Sequence, residues 1–186
     1  GPFGEVYRAD DELIEAEVAV KILDPDVLRD PPDQEQFLRA TRQARNMTQK
    51  NVVRLHDSGV HSDHPWISMQ PLEGLSLRKI IKLRRNKGEN FNLREVEPIV
   101  TQVTLAVQHV NREFPVADLK PENILMMPEV LKVTDTYLYA ALPAPIFADR
   151  LEDSRYLAPE LHTAKEKAED GRCDVYSLGV IIGEML

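Results

Sequence analysis

The chain has 186 residues, 42% of them hydrophobic and 29% charged, with 23 Lys and Arg against 31 Asp and Glu for a formal charge of −8. That balance excludes collagen-like, low-complexity and wholly disordered chains, and the length is enough to bury a core. The acidic surplus argues against a nucleic-acid partner and leaves the basic run Arg78 to Lys87 as a solvated helix face.

Glu17 to Leu23 alternates as a strand, with Val18, Val20 and Ile22 on one face and Ala19, Lys21 and Leu23 on the other. Pro25 and the pair Pro31-Pro32 end it. From Asp33 to Met47 the residues Phe37, Ala40, Ala44 and Met47 recur at helical spacing. Short strands are expected at Val52 to Leu55 and Trp66 to Met69, joined through a turn at Ser62-Asp63. Beyond Gly74 the pattern turns helical, and Val96, Ile99, Val100, Val103, Val107 and Val110 predict a well-buried helix. Leu119 to Leu142 reads as short elements broken by Pro121 and Pro128, and Pro143 to Arg155 as an irregular loop. Asp174 to Leu186 is a helix apolar almost all round, which places it inside a core. Strands first and helices later imply an α+β chain with a small β-rich lobe over residues 1–73 and a mainly helical one over 74–186.

One cysteine, Cys173, allows no internal disulfide and points to a reducing, cytoplasmic setting. The apolar stretch Leu178 to Gly183 is far short of the roughly 20 residues that span a bilayer, so no membrane segment is expected here. The chain starts on Gly1 rather than Met and ends inside an apolar helix, which reads as a domain truncated at both ends.

Chemistry concentrates in Ala117-Asp118-Leu119-Lys120-Pro121-Glu122-Asn123-Ile124-Leu125: an acid, a lysine two residues later, an amide five residues later, then an apolar strand. This segment resembles the catalytic loop of protein kinases, in the serine/threonine style. Further matches follow in order along nearly the whole chain. Gly1-Pro2-Phe3-Gly4-Glu5-Val6 is similar to the second half of a glycine-rich loop, and Val18-Ala19-Val20-Lys21 to the third-strand lysine motif. Asp135 follows the apolar run Val130, Leu131 and Val133, where the family keeps its magnesium-binding aspartate. Ala158-Pro159-Glu160 resembles the close of the activation segment, and Asp174 to Gly179 the start of the central helix.

The resemblance implies a two-lobed kinase-like fold over 1–186 and an enzyme that moves the γ-phosphoryl of Mg-ATP to a protein hydroxyl. Gly1 and Gly4 would admit the phosphates, and Lys21 would hold the α- and β-phosphates. Val6, Ala19 and Leu125 would sandwich the adenine ring, with Met69 as gatekeeper and the backbone of Gln70 and Leu72 as the hinge. Asn123 and Asp135 would ligate Mg²⁺, Asp118 would take or orient the substrate hydroxyl, and Lys120 would stabilise the transferred group. Asp174 would accept backbone N–H bonds from the catalytic loop, or simply cap its own helix. The partners implied are ATP and a protein substrate or regulatory partner.

The chain departs from that pattern at several positions. Ala40 stands where active kinases place the glutamate that pairs with the lysine; Gln36, one turn earlier, could bond Lys21 without charge. Val116-Ala117 replaces the His-Arg before the catalytic aspartate, Thr136-Tyr137 the Phe-Gly after the metal aspartate, and Glu152-Asp153 a Gly-Thr pair. Leu138 to Asp153 holds no Ser or Thr, which agrees with the loss of an arginine that reads a phosphorylated loop. These departures keep a second reading open: a pseudokinase that binds nucleotide or scaffolds a partner with little or no transfer.

Overall fold

The computed structural model describes residues 1–151, 154–162 and 170–186. The first lobe is an antiparallel sheet of β1 (Gly4–Asp11), β2 (Ala16–Leu23), β3 (Leu55–His61) and β4 (His64–Met69) in the order β1-β2-β4-β3. Alternation in β2 turns Lys21 and Leu23 inward, while Ile22 stays exposed beside half-buried Val20 and Trp66 on the outer face. Lys21 lies mid-sheet, opposite Val6 on one side and Ile67 on the other. Gly4 has φ +143°, and a Cβ there would lie 2.1 Å from the Ile22 carbonyl oxygen, so only glycine fits. Gly59 is needed for space instead: a Cβ on it would meet the Trp66 ring at 2.9 Å. The turn at Ser62-Asp63 forms as expected, with both residues at positive φ.

Helix α1 (Pro31–Asn46) begins at Asp30, whose carboxylate accepts from the Asp33 N–H, and buries Phe37, Ala40, Thr41 and Ala44. The strand expected at Val52 to Leu55 is displaced. Leu55 opens β3, whereas Val52 bridges Val133 in the second lobe, with the Val53 N–H donating to the Val133 carbonyl and the Val133 N–H to the Asn51 carbonyl. The Asn51 side chain adds bonds to the Leu131 carbonyl and to Gln102. This stitch fixes the first lobe against the floor of the cleft.

The second lobe starts with β5 (Leu75–Ser76), which pairs with β6 (Ile124–Met126), and β6 pairs in turn with β7 (Leu131–Val133). Helix α2 (Leu77–Arg85) is capped by Ser76, and α3 (Leu93–Val110) by a capping box of Asn92 and Glu95. The valine stripe of α3 meets Leu119, Ile124, Leu131 and Val133 in one core. Two short helices, α4 (Leu138–Ala141) and α5 (Ala144–Arg150), follow Asp135, and α6 (Pro159–His162) and α7 (Arg172–Met185) complete the lobe. Helix α5 corrects the expectation of an irregular loop: Pro143 and Pro145 fall at its cap and first turn, where a missing N–H costs nothing. Helix α7 buries Cys173, Ser177, Ile181 and Met185, but Val175 is 71% exposed, so only one face of it enters a core.

Candidate active site

The sheet, the stitch at Val53 and the β6–β7 hairpin enclose a cavity of about 390 Å³. Gly1, Gly4, Val6, Ala19, Lys21, Met69, Gln70, Leu72, Asn123, Leu125 and Asp135 all line it, which brings together every cofactor-binding residue expected from the sequence. Val53, Glu122 and Thr134 line it too. Of these three, Thr134 adjoins Asp135 in sequence, but Val53 reaches the wall only through its pairing with Val133, which no local pattern signals. The Gln70 N–H is taken by the Arg54 carbonyl, so Gln70 can offer a ligand only its own carbonyl.

Lys21 Nζ sits 2.5 Å from Asp135 Oδ2, with side chains 4% and 16% exposed. Asp135 holds φ +59°, a left-handed conformation that a non-glycine residue adopts only under local constraint. Tyr137, in the place of the family's glycine, has an ordinary φ of −98° and is fully buried, so that position needs no glycine in this arrangement. Among the described residues its buried hydroxyl meets no partner in hydrogen-bond geometry. Burial, with the nearby Asp135 charge, holds its pKa well above the usual phenol value.

Asp118 and Lys120 lie outside the cavity wall, 4% and 9% exposed. The Lys120 ammonium donates to both Asp118 carboxylate oxygens at 2.7 Å. Asn123 connects this pair to the cavity, its amide nitrogen donating to the Asp118 carbonyl at 3.0 Å and carboxylate at 3.2 Å. Burial raises the Asp118 pKa and the nearby Asp135 adds to it, with Lys120 pulling the other way. The loop is held from below: Asp174 accepts the N–H of Val116 at 3.0 Å and of Ala117 at 2.8 Å, while Ala117 sits at φ +58°. Asp174 thus ties the loop, and Gly171 is the cap of α7.

One sequence expectation is corrected. Gln36 does not reach Lys21; its amide donates to the carbonyls of Ala140 and Leu142 at 3.0 and 3.1 Å. Ala40 lines a separate cavity of about 450 Å³ with Gln36, Phe114, Tyr139 and Ala140, not the cavity of Lys21. Helix α4 packs on α1, so the face of α1 that would present an acid to Lys21 meets the segment after Asp135 instead. Glu152 and Asp153 lie outside the described residues.

A family model for the protein kinase domain matches residues 1–186. The serine/threonine-protein kinase PrkC of Bacillus subtilis is 30% identical over 192 residues, an alignment that covers this whole chain and 28% of that protein. The serine/threonine-protein kinase PknL of Mycobacterium tuberculosis is 28% identical over 192 residues, covering the whole chain and 46% of its own length. The chain therefore spans less than half the length of these curated relatives. The crystal structure of a cysteine-to-alanine mutant of the Mycobacterium tuberculosis PknI kinase domain superposes with a TM-score of 0.81 at 24% identity, covering all of this chain and 69% of that one, and shows the same fold. A full-length family match, serine/threonine kinase relatives and a shared two-lobed fold together place the chain in the protein kinase family, serine/threonine type.

Proposed function

We propose that the protein binds Mg-ATP in the cavity at Lys21 and transfers the γ-phosphoryl group to a serine or threonine hydroxyl of a protein substrate. The observation that carries this reading is that Lys21, Asp135 and Asn123 line one cavity, with Lys21 paired to Asp135 and with Asn123 hydrogen-bonded to Asp118, which Lys120 holds. Phosphoryl transfer depends mostly on positioning and electrostatic stabilisation, and these residue types supply both.

Asn123 and Asp135 would hold the metal. The Asn123 amide nitrogen is committed to Asp118, and among the described residues its oxygen takes no hydrogen bond. Two hard oxygen donors suit Mg²⁺, which fills its remaining positions with phosphate oxygens and water. Bound there, the ion would neutralise charge building on the phosphates. Lys21 adds a fixed positive charge against the α- and β-phosphates. Asp118 orients the substrate hydroxyl and accepts its proton, and its raised pKa makes it a better proton acceptor than an exposed aspartate. Lys120 keeps that carboxylate in place and faces the negative charge of the group in flight.

A nucleotide-binding pseudokinase is the second reading. It is favoured by the Lys21–Asp135 pair, which sets the lysine against the metal ligand, and by Ala40 facing another cavity. A γ-phosphate transfer assay on the full-length protein, with Asp118→Asn as control, separates the two: transfer lost in the variant supports the kinase, and equal background in both supports the pseudokinase. A Mg-dependent thermal shift with ATP tests what both readings share; at 100 times the dissociation constant it corresponds to about 2.7 kcal/mol. No shift overturns both.

A further inference from the structure

The outer face of the first-lobe sheet carries a hollow of about 580 Å³, larger than the cavity at Lys21. Val20, Ile22 and Trp66 form its apolar part, and His61, Ser62 and His64 close it at the tip of the β3–β4 hairpin. The proposed phosphoryl transfer uses none of these residues. In β4 the alternation that sends Ile67 and Met69 inward sends His64 and Trp66 outward, away from the nucleotide cavity.

His61 and His64 face each other directly. They are the last register pair of β3 and β4, so both side chains leave the same face of the sheet, with Cβ atoms about 4.5–5.5 Å apart. The turn between them is short and stiff. Its two residues, Ser62 and Asp63, hold φ +48° and +63°, and Pro65 fixes the backbone on the far side of His64. The roots of both imidazoles are thus set by the ladder and not by a long loop.

The His64 ring is oriented as well. Its Nδ1 lies 2.9 Å from the Ser62 carbonyl oxygen. A carbonyl oxygen only accepts, so in the neutral ring Nδ1 carries the proton and Nε2 keeps its lone pair. A metal-bound histidine has this same arrangement, its second nitrogen donating to a backbone carbonyl. The His61 ring, exposed on the same face, makes no hydrogen bond among the described residues.

We propose that His61 and His64 form a two-imidazole site for a divalent transition-metal ion of the Zn²⁺ class at the tip of the β3–β4 hairpin. Imidazole nitrogens about 2.0–2.1 Å from the ion suit Zn²⁺, Ni²⁺ and Cu²⁺, whereas Mg²⁺ takes hard oxygen donors. Among the described residues no group of three or more His, Cys, Asp or Glu gathers around such a position, so water completes the coordination. Asp63, between the two histidines in the chain, adds a negative charge beside the ion. The site is independent of the nucleotide cavity, where Asn123 and Asp135 offer oxygen alone.

The test uses the full-length protein free of any histidine tag, with Mg²⁺ in excess to fill oxygen sites. Zn²⁺ is titrated calorimetrically into the wild type, His61→Ala, His64→Ala and Asp135→Asn, and Cu²⁺ is added to the same set for electron paramagnetic resonance. The site predicts a Zn²⁺ affinity that falls by about ten-fold or more in either histidine variant and is unchanged in Asp135→Asn. With Cu²⁺, the nitrogen splitting should report two imidazoles in the wild type and one in each histidine variant. Both histidines are exposed, so melting temperatures without metal should match the wild type. Equal Zn²⁺ affinity in the wild type and both histidine variants overturns the site. Loss in one histidine variant alone overturns the pair. Loss in Asp135→Asn with binding kept in the histidine variants puts the ion in the cleft, which overturns the hairpin site and leaves the nucleotide reading intact.

Discussion

The Lys21 ammonium and the Asp135 carboxylate, 114 residues apart in the chain, meet at 2.5 Å across the cavity that holds both. In the proposed function these two groups have different tasks, one on phosphate and one on metal, and here each satisfies the other. An incoming Mg-nucleotide has to part them, so the attraction between them opposes binding.

Asp135→Asn should therefore act in two directions. Without the carboxylate, Lys21 is free to meet phosphate, and ATP in the presence of a chelator should bind about five-fold more tightly, equivalent to about 1 kcal/mol. The gain that Mg²⁺ gives the wild type should disappear in the variant. Titration calorimetry with and without Mg²⁺ reads both effects, and weaker metal-free binding in Asp135→Asn would contradict the account.

Restoring an acid at position 40 should help only once α1 is free to turn. Ala40 now lines the cavity with Tyr139 and Ala140, so Ala40→Glu alone should change transfer by less than about two-fold. In a Gln36→Ala background, which removes the amide that fastens α1 to the segment after Asp135, the same substitution should raise it about ten-fold, from a net of roughly 1–2 kcal/mol for a lysine–glutamate pair formed in the transition state. That gain should vanish when Lys21→Met is added.

Asp174 is the acceptor for two buried N–H groups of the loop that carries Asp118. Asp174→Ala leaves both unpaired, at about 1–3 kcal/mol each. A loss near 3 kcal/mol in a urea titration is expected, with Asp174→Asn intermediate because it keeps one acceptor oxygen. Transfer should fall in both, since Ala117 at φ +58° then loses what holds it in a strained conformation.

Acid stability should trace Glu184. Burial raises its pKa, but hydrogen bonds from Arg78, Tyr156 and Arg155 outweigh that and hold it at about 2, against an ordinary value of 4.5. A carboxylate with a depressed folded pKa stabilises fully above its unfolded value and loses that contribution as pH falls from about 4.5 towards about 2. The contribution at stake is about 3 kcal/mol. Denaturant midpoints followed over that range should drop less steeply in Glu184→Gln than in the wild type.

The cavity wall was legible in the sequence because its residues sit in short motifs with fixed spacing, and the fold brings each motif to the same place. Asp118, Lys120 and Asn123 share one loop, so their mutual geometry is nearly local. What the sequence hid is tertiary. Nothing in Pro143 to Arg155 announces a helix, because its prolines read as breakers until their position in the first turn is known. Gln36 and Ala40 share a face of α1, as their spacing predicts, but which neighbour that face meets depends on where α4 packs. Val52 belongs to a β-rich run by type, yet it pairs with Val133 because the stitch between the lobes leaves the first sheet before Leu55.

Trp66 is the chain's single tryptophan, and it stands on the outer face of the first-lobe sheet, against Gly59. Its indole emission is therefore a spectroscopic reporter of one lobe only, while helical ellipticity comes mainly from the other. Two optical signals from the same unlabelled sample can be followed through a melt. Coincident curves would mean that the lobes come apart as one cooperative unit, and separated curves would give each lobe its own transition.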